Sequence, residues 1–151
     1  MTIKALYQTY VERLLPLYPP NEAEQIRQMA FESLASITRS DVVMYPENNL
    51  SSEQEIPLLE ALAKLCANEP IQYILGECWF YKLRFKVNKA VLIPRPETEE
   101  LVAAAIHHLH TYSKPRVLEI GSGSGCIPIV LKKMCLHPSS LRLTSARKHC
   151  K

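Results

Sequence analysis

Three of the four glycines in this 151-residue chain stand at alternate positions, Gly121-Ser122-Gly123-Ser124-Gly125. Before them Arg116-Val117-Leu118-Glu119-Ile120 reads as a buried strand, and after them Cys126 to Met134 reads as a helix. Nothing projects from such a turn, so its backbone N–H groups can approach a bound molecule closely. A strand, a glycine turn and a helix in that order suit an α/β unit, whose parallel sheet needs neighbouring strands and cover on both faces.

What precedes this unit is helical. Ile3, Leu6, Tyr7, Tyr10, Val11 and Leu14 repeat at i, i+3, i+4 and i+7, which predicts an amphipathic helix ended by Pro16, Pro19 and Pro20. Asn21 followed by Glu24 predicts an N-cap, with Ile26, Met29, Ala30, Leu34 and Ile37 as the next buried stripe. A short third helix is expected from Thr38 to Tyr45, stopped by Pro46. Ser52 with Glu55 predicts the start of a fourth, burying Leu58, Leu59, Leu62, Leu65 and Cys66, with Pro57 in its first turn or bending it. Glu69 to Leu75 reads as one more turn, with Gly76 past its end.

The pattern then changes. Glu77-Cys78-Trp79-Phe80 and Leu83-Arg84-Phe85-Lys86-Val87 alternate about Tyr81-Lys82, which predicts a β-hairpin. The aromatic Trp79, Phe80, Tyr81 and Phe85 could stack bases, but a hairpin packed between two domains is the expected use. Ala90-Val91-Leu92-Ile93 reads as a short strand, stopped by Pro94-Arg95-Pro96. A helix starts near Pro96 with Glu97, Glu99 and Glu100 at its positive end and His107, His108 and His110 at its negative end. Its expected buried stripe is Leu101, Val102, Ala105, Ile106 and Leu109. The histidines point in different directions around the helix and have no acidic or cysteine partner nearby in sequence, so no metal site is expected.

Composition narrows the class further. Hydrophobic residues at 47% and charged residues at 22% suit a globular chain. No apolar run is long enough to span a bilayer, and Met1 to Tyr7 lacks the pattern of a secretory signal. Five cysteines, an odd number without a CxxC, argue against a disulfide framework or zinc ribbon and for the reducing cytoplasm. Charge is unevenly spread: residues 1–131 hold twelve Lys and Arg against all fifteen acids, while residues 132–151 hold six Lys and Arg and no acid. A basic run of this kind can mark nucleic-acid binding, but no nucleic-acid motif accompanies it.

Two stretches together carry a family resemblance. Glu69-Pro70-Ile71-Gln72-Tyr73-Ile74-Leu75-Gly76-Glu77, the aromatic hairpin, and Val91-Leu92-Ile93-Pro94-Arg95-Pro96-Glu97-Thr98-Glu99-Glu100-Leu101-Val102 resemble the release-factor glutamine methyltransferases of the HemK/PrmC type. The Pro-Arg-Pro-Glu-Thr-Glu run is the most specific part, since related ribosomal-protein glutamine methyltransferases usually carry Pro-Arg-Ser-Pro there. The resemblance covers residues 1 to about 131 and is strongest from Glu69 to Leu131.

The resemblance implies an α-helical N-terminal substrate-recognition domain over residues 1–75 and a β-hairpin linker over 76–93. The start of an α/β Rossmann-like S-adenosylmethionine methyltransferase domain, incomplete, follows over 94–134, with a basic tail foreign to the family over 135–151. It implies S-adenosylmethionine as cofactor, bound by Glu119, Gly121, Ser122, Gly123, Ser124 and Gly125, with backbone N–H groups meeting its carboxylate and Glu119 its ammonium. Arg95, Pro96, Glu97 and Thr98 would line the active site, although Pro94 and Pro96 serve equally well as rigid turn and helix-start residues. The substrate would be the glutamine of the Gly-Gly-Gln loop of a peptide chain release factor. A cytoplasmic monomer is expected, with no membrane or direct nucleic-acid partner and no metal.

The sequence departs from the family in two places. The family's Asn-Pro-Pro-Tyr motif, which holds the glutamine amide, does not occur, so no catalytic residue can be assigned. Nor is there an acid about twenty residues beyond the glycine turn to bind ribose hydroxyls, because residues 132–151 contain none. The charge jump suggests a frameshift or alternative end near Leu131 to Met134. Without neighbours, the strand Arg116–Ile120 is expected to be unpaired and residues 111–151 loosely held, the chain alone being inactive. Two other readings stay open: a non-catalytic release-factor-binding helical module, and a fragment of a nucleic-acid adenine-N6 methyltransferase.

Overall fold

The computed structural model describes residues 1–113, 115 and 117–135. Expectations for Arg116 and for the tail beyond Cys135 lie outside the described residues. The chain divides into two compact units, the first Met1–Leu75 and the second beginning at Gly76.

The first unit is five helices around one core. In α1 (Ile3–Leu14), Thr2 caps the start by accepting from the Ala5 N–H, and Ile3, Leu6, Tyr10 and Leu14 are buried. Two first-turn N–H groups that lack intrahelical acceptors are satisfied by a later loop: Ile3 donates to the Asn48 carbonyl at 3.0 Å and Lys4 to the Pro46 carbonyl at 2.9 Å. In α2 (Pro20–Ala35) the N-cap is Pro19, not Asn21 as the acid spacing suggested, because Pro20 already has the backbone angle of a first helical residue. Left-handed Ser36, φ 56°, ends this helix.

Short α3 (Arg39–Met44) carries a capping box between Thr38 and Asp41. In α4 (Ser52–Cys66) the capping box is Ser51 with Gln54, one residue before the expected Ser52 and Glu55. That register frees the Gln54 amide to donate to the Ala35 carbonyl at 3.0 Å, closing the C-terminal end of α2. Pro57 lies inside α4, and its missing N–H leaves the Glu53 carbonyl without its intrahelical donor. The buried face of α4 is Leu58, Ala61, Leu62 and Leu65; Leu59 is exposed and Cys66 half-buried, contrary to expectation. Helix α5 (Ile71–Leu75) ends at Gly76, whose φ of 71° needs glycine.

At the centre of this core Phe31 receives the edges of Tyr7 and Tyr10, both with ring centroids 5.2 Å away. The Tyr10 hydroxyl donates to the Leu58 carbonyl at 2.5 Å and the Tyr18 hydroxyl to the Leu65 carbonyl at 3.2 Å. The two acceptors are seven residues apart on α4, hence on one side of it two turns apart. Arg27 is buried beneath the Tyr7 ring, its guanidinium 3.7 Å from the ring centroid, and paired with Glu24. Burial holds the Arg27 guanidinium below its ordinary pKa, with Tyr7 opposing that shift.

The second unit opens with the expected hairpin, β1 (Glu77–Phe80) antiparallel to β2 (Leu83–Lys86). Tyr81 and Lys82 join them at φ 50° and 61°, the left-handed pair of a two-residue turn with neither residue a glycine. Cys78, Phe80 and Phe85 are buried on one face, while Trp79, Arg84 and Lys86 are exposed on the other. Trp79 is 68% exposed, whereas Phe80 and Phe85 are buried.

Two helices follow, α6 (Pro96–Leu109) and α7 (Cys126–Cys135), in contact with each other. Pro96 starts α6 as its spacing predicted, but only Val102 of the expected stripe is fully buried and Leu101 is 60% exposed. The expected strand Ala90–Ile93 does not form. Asn88 bends this segment instead, its side chain accepting from the Ala90 N–H at 2.9 Å and its carbonyl from the Val91 N–H at 3.1 Å. Residues 117–120 form no strand either, and Leu118 and Ile120 are 67% and 78% exposed. A strand needs a partner ladder, and the only sheet among the described residues is the hairpin.

Candidate cofactor and substrate site

The glycine turn is built from backbone conformations that other residues resist. Gly121, Gly123 and Gly125 have φ of 77°, 52° and 74°. A Cβ at Gly121 would meet nothing within 4 Å, and one at Gly123 only the Gly121 carbonyl at 3.9 Å. These glycines are required by backbone angle, and the space beside them is open. The turn closes through the Gly125 N–H, which donates to the Ser122 carbonyl at 2.7 Å, and Ile129 then donates to the Gly125 carbonyl as α7 begins. Among the described residues, the N–H groups of Ser122, Gly123 and Ser124 donate to no backbone carbonyl.

Glu119 precedes this turn. Its Oε2 is buried and has no hydrogen-bond partner among the described residues. Desolvation holds its carboxyl above the ordinary carboxylate range. A buried acceptor without a donor, next to a turn with free N–H groups, matches a zwitterionic amino-acid group, whose ammonium would meet Glu119 and whose carboxylate would meet the turn. The donor set therefore fits the amino-acid end of S-adenosylmethionine.

Arg95 is the extended N-cap of α6, with φ −101° and ψ 149°, and is exposed with Pro96 and Glu97. Thr98 is half-buried and its N–H donates to the Arg95 carbonyl at 3.0 Å. No hydrogen bond or ion pair joins this segment to the glycine turn among the described residues. Sequence spacing missed the partner of this first turn: Glu99 Oε1 accepts from the Tyr81 N–H at the hairpin tip, 2.6 Å away. The left-handed turn at Tyr81-Lys82 was the available signal, because it leaves that N–H outside the ladder.

Two thiols are held away from the reactive thiolate form. Burial raises the Cys78 thiol above its ordinary value, helped by Cys126 and Glu77, and burial alone raises Cys135. Among the described residues no group of three or more His, Cys, Asp or Glu could hold a metal ion. No helix among them is long and apolar enough to cross a membrane.

An all-helical unit followed by a hairpin and a glycine turn leading into a helix defines a two-part chain, a helical module attached to a candidate cofactor cradle. Residues 5–76 match the PrmC N-terminal domain family. Over 136 residues, 88% of its length, the chain is 38% identical to the release factor glutamine methyltransferase of Flavobacterium psychrophilum, covering 48% of that protein. It is 36% identical to the enzymes of the same name from Koribacter versatilis and Streptococcus pneumoniae, again over 88% of its length and 47% of theirs. The chain is thus a relative of the release factor glutamine methyltransferases, and spans about half the length of the curated relatives it matches.

Proposed function

We propose that this chain carries the recognition domain and the cofactor cradle of a cytoplasmic enzyme that methylates the glutamine N5 in the Gly-Gly-Gln loop of a peptide chain release factor. The observation that carries the reading is the buried Oε2 of Glu119, without a hydrogen-bond partner among the described residues, beside three left-handed glycines, in a relative of enzymes bearing that name. S-adenosylmethionine, when bound, supplies a methyl group on a sulfonium.

In this reading Glu119 receives the cofactor's ammonium, and the backbone of Gly121, Ser122, Gly123, Ser124 and Gly125 receives its carboxylate. Arg95, Pro96, Glu97 and Thr98 shape the adjoining glutamine pocket. Residues 1–75 recognise the release factor, 76–93 link, and 94–134 begin a Rossmann-like methyltransferase domain. An amide nitrogen is a weak nucleophile because its lone pair is delocalised, so transfer depends on holding it in line and on electrostatics. The family's Asn-Pro-Pro-Tyr motif, which does that holding, is not among the 151 residues. The monomeric chain alone therefore binds but does not transfer.

Calorimetric titration of the chain with S-adenosylmethionine tests this. Binding that Glu119→Gln weakens, without methylation of added release factor, is the expected result. Absence of binding removes the cradle. A second reading, a non-catalytic release-factor-binding module, is favoured by the closed core of the first unit, whose buried side chains from Ile3 to Ile71 form one cluster. Release-factor binding undiminished by Glu119→Gln, with no cofactor binding, would select it.

A further inference from the structure

The outward face of the hairpin combines an exposed indole with three cations. Strand alternation puts Glu77 and Trp79 of β1 opposite Lys86 and Arg84 of β2, on the face away from buried Cys78, Phe80 and Phe85. Trp79 is 68% exposed and is the chain's single tryptophan. Arg84 and Lys86 are exposed and two residues apart on β2, about 7 Å along a strand, and Lys82, also exposed, lies in the left-handed turn before it. Among the described residues the only acid on this face of the two strands is Glu77, which meets Arg84 through Nε at 3.5 Å, while Glu99 reaches the turn at the Tyr81 N–H. The terminal guanidinium nitrogens of Arg84 have no partner among the described residues. Arg84 and Lys86 against Glu77 leave the strand face with net positive charge around a large apolar ring, with Lys82 at the adjoining turn.

Tryptophan and arginine are the side chains that most often anchor protein interfaces. Arg84 and Lys86 at strand spacing, with Lys82 at the adjoining turn, complement acids on an extended partner segment, since opposite charges on facing strand positions attract. We infer that this face, Trp79 with Lys82, Arg84 and Lys86, docks an acidic segment of the protein substrate. The inference rests on the release-factor reading and adds to it the surface and the charge of the contact. Electrostatic complementarity of this kind acts strongly on association and weakens with salt.

The test labels the single tryptophan of the full 151-residue chain with 5-fluorotryptophan, giving one fluorine resonance, and titrates it with release factor. Affinity is measured by calorimetry over a salt series. The expected result is a shifted or broadened Trp79 resonance, affinity falling as salt rises, and about tenfold or greater weakening by Arg84→Glu with Lys86→Glu. The salt series on the unaltered chain decides the matter even where the double variant misfolds. Release factor that binds with the Trp79 resonance and the salt series unmoved overturns this inference and leaves the proposed function standing. Release factor that does not bind at all overturns both. A single-stranded oligonucleotide that shifts Trp79 where release factor does not overturns the acidic-segment assignment, since stacking and phosphate contacts would then account for the face.

Discussion

Glu99 holds the tip of the hairpin: its Oε1 accepts from the Tyr81 N–H at 2.6 Å across eighteen residues of chain. The bond ties the first turn of α6, which contains Thr98, to the two-residue turn of the hairpin. A hydrogen bond to a charged acceptor contributes about 1.5–3 kcal/mol, toward the low end where water has access. Glu99→Ala is expected to speed amide exchange at Tyr81 and Lys82 and to destabilise the second unit by about 1 kcal/mol. Glu99→Gln, which keeps an acceptor oxygen, is expected to retain most of the protection. Hydrogen exchange followed residue by residue reads both variants, and equal protection in Glu99→Ala would refute the tie.

Lys82 takes a φ of 61° with a side chain that resists it. The left-handed region costs an ordinary residue roughly 1–2 kcal/mol, and two-residue hairpin turns favour glycine at this second position. Lys82→Gly is expected to stabilise the hairpin by about 0.5–1 kcal/mol, after allowing for the added freedom of glycine in the unfolded chain. A rise in the denaturation midpoint of the second unit checks it. A fall would mean that the lysine contributes more through its contacts than its backbone costs.

The first unit depends on tyrosine hydroxyls reaching helix carbonyls. Tyr10 is fully buried, and desolvation raises its phenol far above the ordinary value, so it remains a hydrogen-bond donor throughout the usable pH range. Tyr10→Phe removes the bond to Leu58 and keeps the ring against Phe31, for an expected loss of about 1 kcal/mol. Leu6→Ala, at a fully buried position, is expected to cost about 2–5 kcal/mol through its cavity. Urea denaturation of the two variants should rank them in that order.

Asp41 gives the same unit an acid-sensitive cap. Hydrogen bonds from the Thr38 side chain and then the Thr38 backbone hold its carboxyl below the ordinary 3.8. A depressed folded value means that the cap's contribution is fully present above the unfolded pKa, and is lost as pH falls through the folded one. Below that range both states are protonated. Stability of the unaltered chain should therefore fall faster with acid below pH 3.8 than that of Asp41→Asn, and the two curves should run parallel at neutral pH. Identical slopes under acid would show that the box contributes nothing.

How far the sequence was legible depended on how local each feature is. Ile3, Leu6, Tyr10 and Leu14 announce α1 because helical periodicity is written within one segment, and Pro96 marks the start of α6 for the same reason. The cap of α4 was misplaced because Ser51-Ser52 and Gln54-Glu55 offer two overlapping boxes. Only the distant Ala35 carbonyl, taken by Gln54, distinguishes them. Ala90–Ile93 and residues 117–120 have strand composition, yet a strand is completed by neighbours that local pattern does not supply. The left-handed glycines were legible from their spacing, whereas the partnerless state of Glu119 Oε2 was not, since burial of one oxygen depends on everything around it.

That oxygen supplies a measurement independent of methyl transfer. Desolvation raises the Glu119 carboxyl above its ordinary 4.5, so the segment is favoured at low pH and loses stability as pH rises through the folded value. An ammonium placed beside the carboxylate favours the charged form and reverses the shift. Nuclear magnetic resonance titration of the Glu119 side chain is expected to show a raised value in the free chain and a lowered one with saturating S-adenosylmethionine. A ligand of the same adenosine but without the amino-acid end should leave it raised. Gly123→Ala, strained at φ 52° although a Cβ would have room, should abolish the cofactor-dependent change by disturbing the turn while Glu119 itself is intact. A Glu119 titration indifferent to the cofactor would separate the acid from the cradle and leave the glycines as turn chemistry alone.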